Sequence, residues 1–262
     1  MKKCILNYCT FDSRMNTPKL WFSLYDFSFN YNGTEPEFIE GEFDWAIDFQ
    51  KNWRLIRDEL TAYLNQHEPE AYFNSSMVNT QNTWKTISLK WWDIEFRKRQ
   101  ASFPITTSIL KKYPALLSLS FNQLEPHGRI LPHCGDTNAI YRCHLGLVVP
   151  DQLPSTGFRV REETRSWKEG EWLVFMDAYN HEAFNQSEKK RVIMVVDVLR
   201  PEFIRSRTKV ISVVLTSLFL QKRAQQLAFL YKLPHGMIRF IAFPLRPLAY
   251  ISMKTVNWLK LY

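Results

Sequence analysis

Between Phe203 and Tyr262 the chain has no aspartate and no glutamate, yet it has ten lysines and arginines. The whole protein holds thirty-four basic and twenty-six acidic residues, a formal charge of +8. Residues 1–202 therefore carry twenty-four basic groups against all twenty-six acids, a net charge of −2. The basic character belongs to one segment, so it does not mark the whole chain as a nucleic-acid binder. No recognisable nucleic-acid motif accompanies the basic tail, and no nucleic acid is expected as a partner. Cysteine is scarce: Cys4, Cys9, Cys134 and Cys143 form no CxxC pair, and a chain of 262 residues needs no disulfide framework. The thiols read as reduced, in a cytosolic-type compartment. A long apolar run is missing too. The richest, VISVVLTSLFL at 210–220, is short of the ~20 residues a membrane span needs. The start, MKKCILNYCTFDSRMN, has no sustained apolar stretch and does not read as a signal peptide. The expected location is the cytoplasm, with peripheral attachment to the inner face of the membrane as its extension. Internal repeats and low-complexity tracts are also absent.

What is present fits a packed core: apolar residues make up 45% of the chain and aromatic residues 15%. Residues 1–40 read as short strands and loops, with a turn-rich patch at Asn30, Asn32, Gly33, Glu35 and Pro36. From Trp45 to Leu64, apolar residues settle into 3-to-4 spacing, which predicts one amphipathic helix. TWKTISLKWW alternates as a strand does, and 101–114 predicts a short helix ending before Pro114. From 115 to 200 the pattern is strand after strand: ALLSLSFNQL, YRCHLGLVVP, GFRVREE, EWLVFMDA and RVIMVVDVL, separated by turn residues. This cadence predicts an antiparallel sandwich or barrel, of which a jelly roll is one form. Residues 204–232 read as helical and basic, and Pro234, Pro244 and Pro247 are expected to break the tail into short pieces. The expected organisation is a segment 1–40, a β domain 41–203 and a basic apolar extension 204–262.

The stretch His133-Cys134-Gly135-Asp136 packs an imidazole, a thiol and a carboxylate together. An H-x-D iron motif would place its carboxylate at 135, which is glycine. A facial triad on non-haem iron leaves open positions for co-substrate and oxygen. His133 is expected to open the strand leading into YRCHLGLVV, and His181 to follow the turn after EWLVFMDAYN. Their separation is read as three strands, so the two would face each other across a barrel mouth. Arg191 lies on the next strand, where its guanidinium could take a carboxylate in two parallel bonds. Each residue has a plainer reading, since histidines in a sandwich are commonly structural and strand arginines commonly solvated. Zinc on His133, Cys134, Cys143 and His144 is a third option, weakened because adjacent strand residues point to opposite faces.

The segments PHCGDTNAIYRCHLGLVVP and GFRVREETRSWKEGEWLVFMDAYNHEAFNQSEKKRVIMVVDVLRPEF, with the helix NWRLIRDEL, resemble the aspartyl/asparaginyl β-hydroxylase family over roughly residues 40–203. The resemblance implies a mainly β fold, a double-stranded β-helix or jelly roll, flanked by N-terminal helices and a C-terminal basic helical extension. It implies a dioxygenase dependent on Fe(II), 2-oxoglutarate and O2 that hydroxylates an unactivated C–H. By the same resemblance, His133 and His181 are the metal ligands and Arg191 grips the far carboxylate of 2-oxoglutarate. Arg142 and His144 line the co-substrate pocket, and Asn122 stands where the family has a small hydroxyl residue. Asp177 matches a family acid beside the distal histidine. Gly135 resembles the peptide-hydroxylating members, which bind iron through two histidines. Asp136 is one residue too late for a direct ligand, since each step along an extended chain turns the side chain over; orienting a metal-bound water or steadying the turn is what it could do.

The expected substrate is therefore an Asp- or Asn-type side chain in a peptide or protein. The alternatives are a lipid acyl chain at the membrane surface, which the acid-free apolar tail suits, and a catalytically inactive jelly-roll binding module.

Overall fold

The computed structural model describes residues 18–24, 31–227, 229 and 233–262. The start of the chain, with Cys4, Cys9 and much of the segment read as strands and loops, lies outside these residues. Eleven strands pair into two antiparallel sheets among the described residues. The larger joins β1 (Glu70–Ala71), β2 (Trp84–Trp91), β4 (Leu116–Leu124), β11 (Arg191–Leu199), β6 (Ile140–Val148) and β9 (Trp172–Met176) in that order, with β3 (Ile94–Glu95) on β2. The smaller joins β5 (Gly128–His133), β10 (His181–Asn185), β7 (Thr156–Val160) and β8 (Glu163–Arg165). This is the expected jelly-roll sandwich.

Both faces of the larger sheet are covered, which is why β11 reads RVIMVVDVL, apolar almost throughout, and not as a strict alternation. Its inner face meets the smaller sheet through Leu124, Phe158, Phe175, Ala183 and Ile193. Its outer face is sealed by α1 (Asp44–Lys51), α2 (Trp53–Leu64) and α4 (Pro104–Lys112), whose Phe49, Ile56, Leu60 and Ile109 pack on Phe121, Cys143, Met194 and Val196. A further short helix, α3 (Arg97–Gln100), precedes α4.

The single helix expected from Trp45 to Leu64 is two helices. Asn52 leaves the helical region at φ −108°, ψ 9°, and its side-chain amide donates to Asp48 O at 2.8 Å. Asparagine bonding to local backbone in this way competes with helix continuation.

Beyond the sheets, α5 (Arg207–Gln226) buries Val210 to Leu218 without interruption against Trp92, Leu117, Ile140 and Leu199. The bidentate ion pair of Arg207 with Asp93, at 2.7 and 2.6 Å, fixes its start. The tail then departs from expectation. α6 runs unbroken from His235 to Leu259, through Pro244 and Pro247. Each proline removes one backbone donor. The helix persists because Ala242 and Met253 are buried in the α5 cluster, and because Asn257 bonds Asp93 O and the Glu95 amide at 2.7 and 2.9 Å. Pro234 does act as a stop, standing at the N-cap of α6.

Candidate active site

His133 is the last residue of β5 and does not open β6, which begins at Ile140. Four strands, not three, separate it from His181 in the chain. The two histidines are not opposed across a mouth either. They are direct cross-strand partners on adjacent strands β5 and β10. Their rings lie 4.2 Å apart between centroids and 61° between planes.

The Nδ1 atom of His133 lies 2.8 Å from Leu131 O, and that of His181 lies 2.8 Å from Tyr179 O. A carbonyl can only accept, so Nδ1 carries the proton and each Nε2 keeps a lone pair. Burial pulls both imidazoles down to about 3; the neighbouring His181 adds to the effect at His133. Both rings are therefore neutral at physiological pH, the form that ligates a metal. Among the described residues, no group of three or more histidine, cysteine or carboxylate side chains is placed to hold a metal ion.

The parity of the strands sorts the other groups. Arg142 and His144 on β6, Asn122 on β4, and Arg191 and Asp197 on β11 all line one cavity of about 860 Å³ with His133 and His181. Cys143, between Arg142 and His144, points to the outer core. That disposes of the four-residue zinc set. Neither Cys134 nor Cys143 is in a disulfide.

Arg191 opens β11 and is 1% exposed, yet its Nε and Nη1 have no hydrogen-bond partner. Its guanidinium lies 4.4 Å from the centroid of Trp167. Burial lowers it to about 9, which leaves it charged at neutral pH. A buried cation with idle donors facing a cavity is complementary to an incoming carboxylate. Trp167 also donates from Nε1 to His144 Nδ1 at 3.3 Å, so one indole positions two of the pocket residues. Asn122 accepts from Trp84 Nε1 at 2.9 Å and donates to Ser120 Oγ at 2.8 Å.

Arg142 is committed to protein partners. Its Nε and Nη2 bond Asp197 at 2.7 and 3.2 Å, and its Nη1 lies 2.7 Å from Asp177 Oδ1. The latter contact is close but misaligned, so Asp177 Oδ1 has Coulombic attraction without a hydrogen bond. The same oxygen is 3.8 Å from His181 Nε2. Burial raises Asp177 against the opposing pull of Arg142.

Gly135 is the counterpart of this arrangement. Its amide donates to Asp177 O at 2.8 Å. A Cβ at 135 would fall 1.9 Å from Asp177 Oδ2 and 2.3 Å from its Cγ. The space that a carboxylate at 135 would need already holds the carboxylate of Asp177. Asp136 turns elsewhere: its Oδ1 accepts from Ser217 Oγ and Gln221 Nε2 of α5 at 3.4 and 3.3 Å.

Residues 50–201 match the family model described as Aspartyl/Asparaginyl beta-hydroxylase, more than half of the chain. The chain belongs to the aspartyl/asparaginyl β-hydroxylase family. Members of this hydroxylase family depend on Fe(II) and 2-oxoglutarate. An ornithine lipid ester-linked acyl 2-hydroxylase of Rhizobium tropici is 33% identical over 174 residues, 64% of this chain and 62% of that protein. The human aspartyl/asparaginyl beta-hydroxylase is 31% identical over 160 residues, 58% of this chain and 21% of that protein. The chain thus spans about three fifths of the first relative and one fifth of the second. Among solved structures, a Pseudomonas putida prolyl-4-hydroxylase aligns with a TM-score of 0.41 at 12% identity, covering 57% of this chain and 87% of that one. Likeness at that level adds nothing to the strand order itself.

Sequence reasoning missed Trp167, Asp197 and the α5 and α6 walls of the cavity. Asp197 had a signal, as the lone acid in an apolar strand. Trp167 had another, as the first residue of a W-x-E-G turn.

Proposed function

We propose that the chain is an Fe(II)- and 2-oxoglutarate-dependent dioxygenase that hydroxylates the acyl chain of a lipid. His133 and His181 would hold the iron through their Nε2 atoms. Arg191 would take the far carboxylate of 2-oxoglutarate, with Asn122, Arg142 and His144 around it. The two free lone pairs and the idle guanidinium donors fit this pair of groups. Bound there, iron with 2-oxoglutarate and O2 supplies the oxidising power to replace a C–H hydrogen by hydroxyl, releasing succinate and CO2.

The chain's own residues bind, orient and exclude water. Arg191 packs against the Trp167 ring, so the co-substrate would meet a guanidinium already held in place. Phe158 and Phe175 pack at 4.9 Å on His144 and also contact His181, the first tilted and the second edge-on, so apolar rings flank the two histidines and would help exclude water there. Arg142, with Asp177 and Asp197, forms a closed charge cluster that keeps its geometry without the substrate.

One observation carries the substrate reading. The cavity does not stop at the histidines; it continues beneath α5 and α6, where Leu215, Leu218, Leu245, Ala249 and Met253 line it. A trough of that chemistry accepts methylenes, each worth ~0.8 kcal/mol when buried. The 33% identity to a lipid acyl 2-hydroxylase points the same way. Hydroxylation of a peptide Asp or Asn side chain is the second reading, favoured by Gly135 and by the human relative.

The assay offers the reconstituted enzyme a panel of acyl lipids, ornithine lipid among them, and peptides containing Asp and Asn. A gain of one oxygen on a lipid acyl chain with stoichiometric succinate is the expected result. Oxygen on the peptides alone would reverse the assignment. A bulky substitution inside the apolar arm, Ala249→Trp, should suppress lipid turnover while sparing 2-oxoglutarate binding.

A further inference from the structure

The helix α6 is apolar on two sides. Its inner side, with Ala242 and Met253, is buried in the cluster it shares with α5. Its outer side is bare: from Phe240 through Phe243, Pro247 and Ile251 to Trp258, exposed apolar positions recur at helical intervals. Phe240 is 83% exposed and Trp258 is 80% exposed. A run of large apolar side chains in water over a helix roughly 37 Å long marks a docking surface.

We propose that α6 lies in the surface of an anionic lipid bilayer with this outer side down. Charge selects the partner. No acid occurs from Phe203 to Tyr262, and Lys254 on α6 and Lys260 just past its end are exposed. Basic residues near an anionic headgroup layer reinforce apolar insertion. A second copy of the chain would bring one acid-free face against another, which opposes self-association through α6. The helix lies on the bilayer and does not cross it, since no described helix is long and apolar enough to span. Pro244 and Pro247 leave the carbonyls of Phe240 and Phe243 without helical partners, which suits a hydrated interface and not the hydrocarbon core.

The docking surface joins the cavity. Leu248 lines the cavity wall and is 59% exposed, so the apolar arm opens at the α6 surface. A lipid could thus pass its acyl chain inward without leaving its layer. That delivery role rests on the acyl-chain reading above; the docking itself stands on α6 alone.

Flotation of the full chain with phosphatidylglycerol vesicles, with phosphatidylcholine vesicles as reference, tests the docking. The full chain is required because α5 is part of the core. Wild-type protein should partition onto the anionic vesicles at least tenfold better than onto the neutral ones. The pair Phe240→Ser and Trp258→Ser, and separately Lys254→Glu with Lys260→Glu, should each lower that partition at least tenfold, with circular dichroism unchanged. Equal partition onto both vesicle types, or undiminished binding by the serine pair, overturns the proposal. So does a wild-type dimer in sedimentation that ignores vesicles and becomes monomeric in the serine pair. Should succinate formation be absent while flotation behaves as stated, the oxygenase reading fails and the docking survives.

Discussion

Replacing Gly135 by alanine tests the occupancy that sets the loop after His133 apart from an H-x-D loop. The new Cβ would lie 1.9 Å from Asp177 Oδ2, 2.3 Å from its Cγ and 2.7 Å from its carbonyl oxygen. Two of these atoms belong to a side chain that can move, but only by leaving Arg142 Nη1 at 2.7 Å. The third is backbone, held by the Gly135 amide itself. Overpacking typically costs 1–3 kcal/mol, and a backbone obstacle beside a displaced ion pair places this case at about 3 kcal/mol. For a chain of this size that lowers the melting temperature by roughly 6–12 °C. The assay is thermal unfolding of the metal-free protein. In an Asp177→Ala background two of the three overlaps vanish, so Gly135→Ala should be less harmful there by about 1–2 kcal/mol, a coupling that a double-mutant cycle reads directly. Gly135→Asp, the change that would spell out H-x-D, should be worse than alanine and should not improve metal affinity. A melting temperature within about 1 °C of wild type for Gly135→Ala, with no coupling to Asp177, would refute the reasoning.

Arg191→Met should abolish measurable 2-oxoglutarate binding by calorimetry, since truncating one partner of a buried charged contact costs 2–5 kcal/mol or more. The same change should raise the stability of the ligand-free protein by about 1–2 kcal/mol, because it removes a buried charge with idle donors. His181→Ala should lower Fe(II)-dependent succinate formation by more than about 100-fold while the protein stays folded; full turnover in that variant would sink the ligand assignment. Asp136 faces the cavity interior, and burial, with Asp177 nearby, raises its pKa to about 7. A carboxyl raised on folding binds its proton more tightly in the native state, so its contribution is complete below pH ~4 and is lost as pH rises to ~7. Both bonds to α5 end on Oδ1, which asparagine also has. In metal-free protein, Asp136→Asn should match wild type near pH 4 and exceed it by about 4 kcal/mol at pH 8 in chemical denaturation; a gap that does not change with pH would count against it.

Much of the barrel could be read from residues alone, because strand alternation and turn chemistry act locally. The parity of Arg142 with His144, opposite Cys143, is such a case. What the order of residues hid was set by distant partners. His133 ends one strand instead of beginning another, and only the pairing of β5 with β10 decides that. Asn52 splits a periodic helix through one side-chain bond to Asp48. Pro244 and Pro247 fail to break α6 because packing on α5 outweighs their local effect. The substrate reading shifted for a similar reason: Gly135 is visible in the sequence, but the apolar arm under α5 and α6 exists only once the tail folds back over the sheet.

The two sides of α5 meet different surroundings. Val210, Val213 and Val214 are fixed in the interior, while Leu215, Leu218, Phe219 and Lys222, at spacings of three, four and seven, look into the cavity. On the acyl-chain reading proposed above, swapping residues along that single stripe would change how long a chain the cavity admits, as a ruler is regraduated, leaving the scaffold beneath untouched.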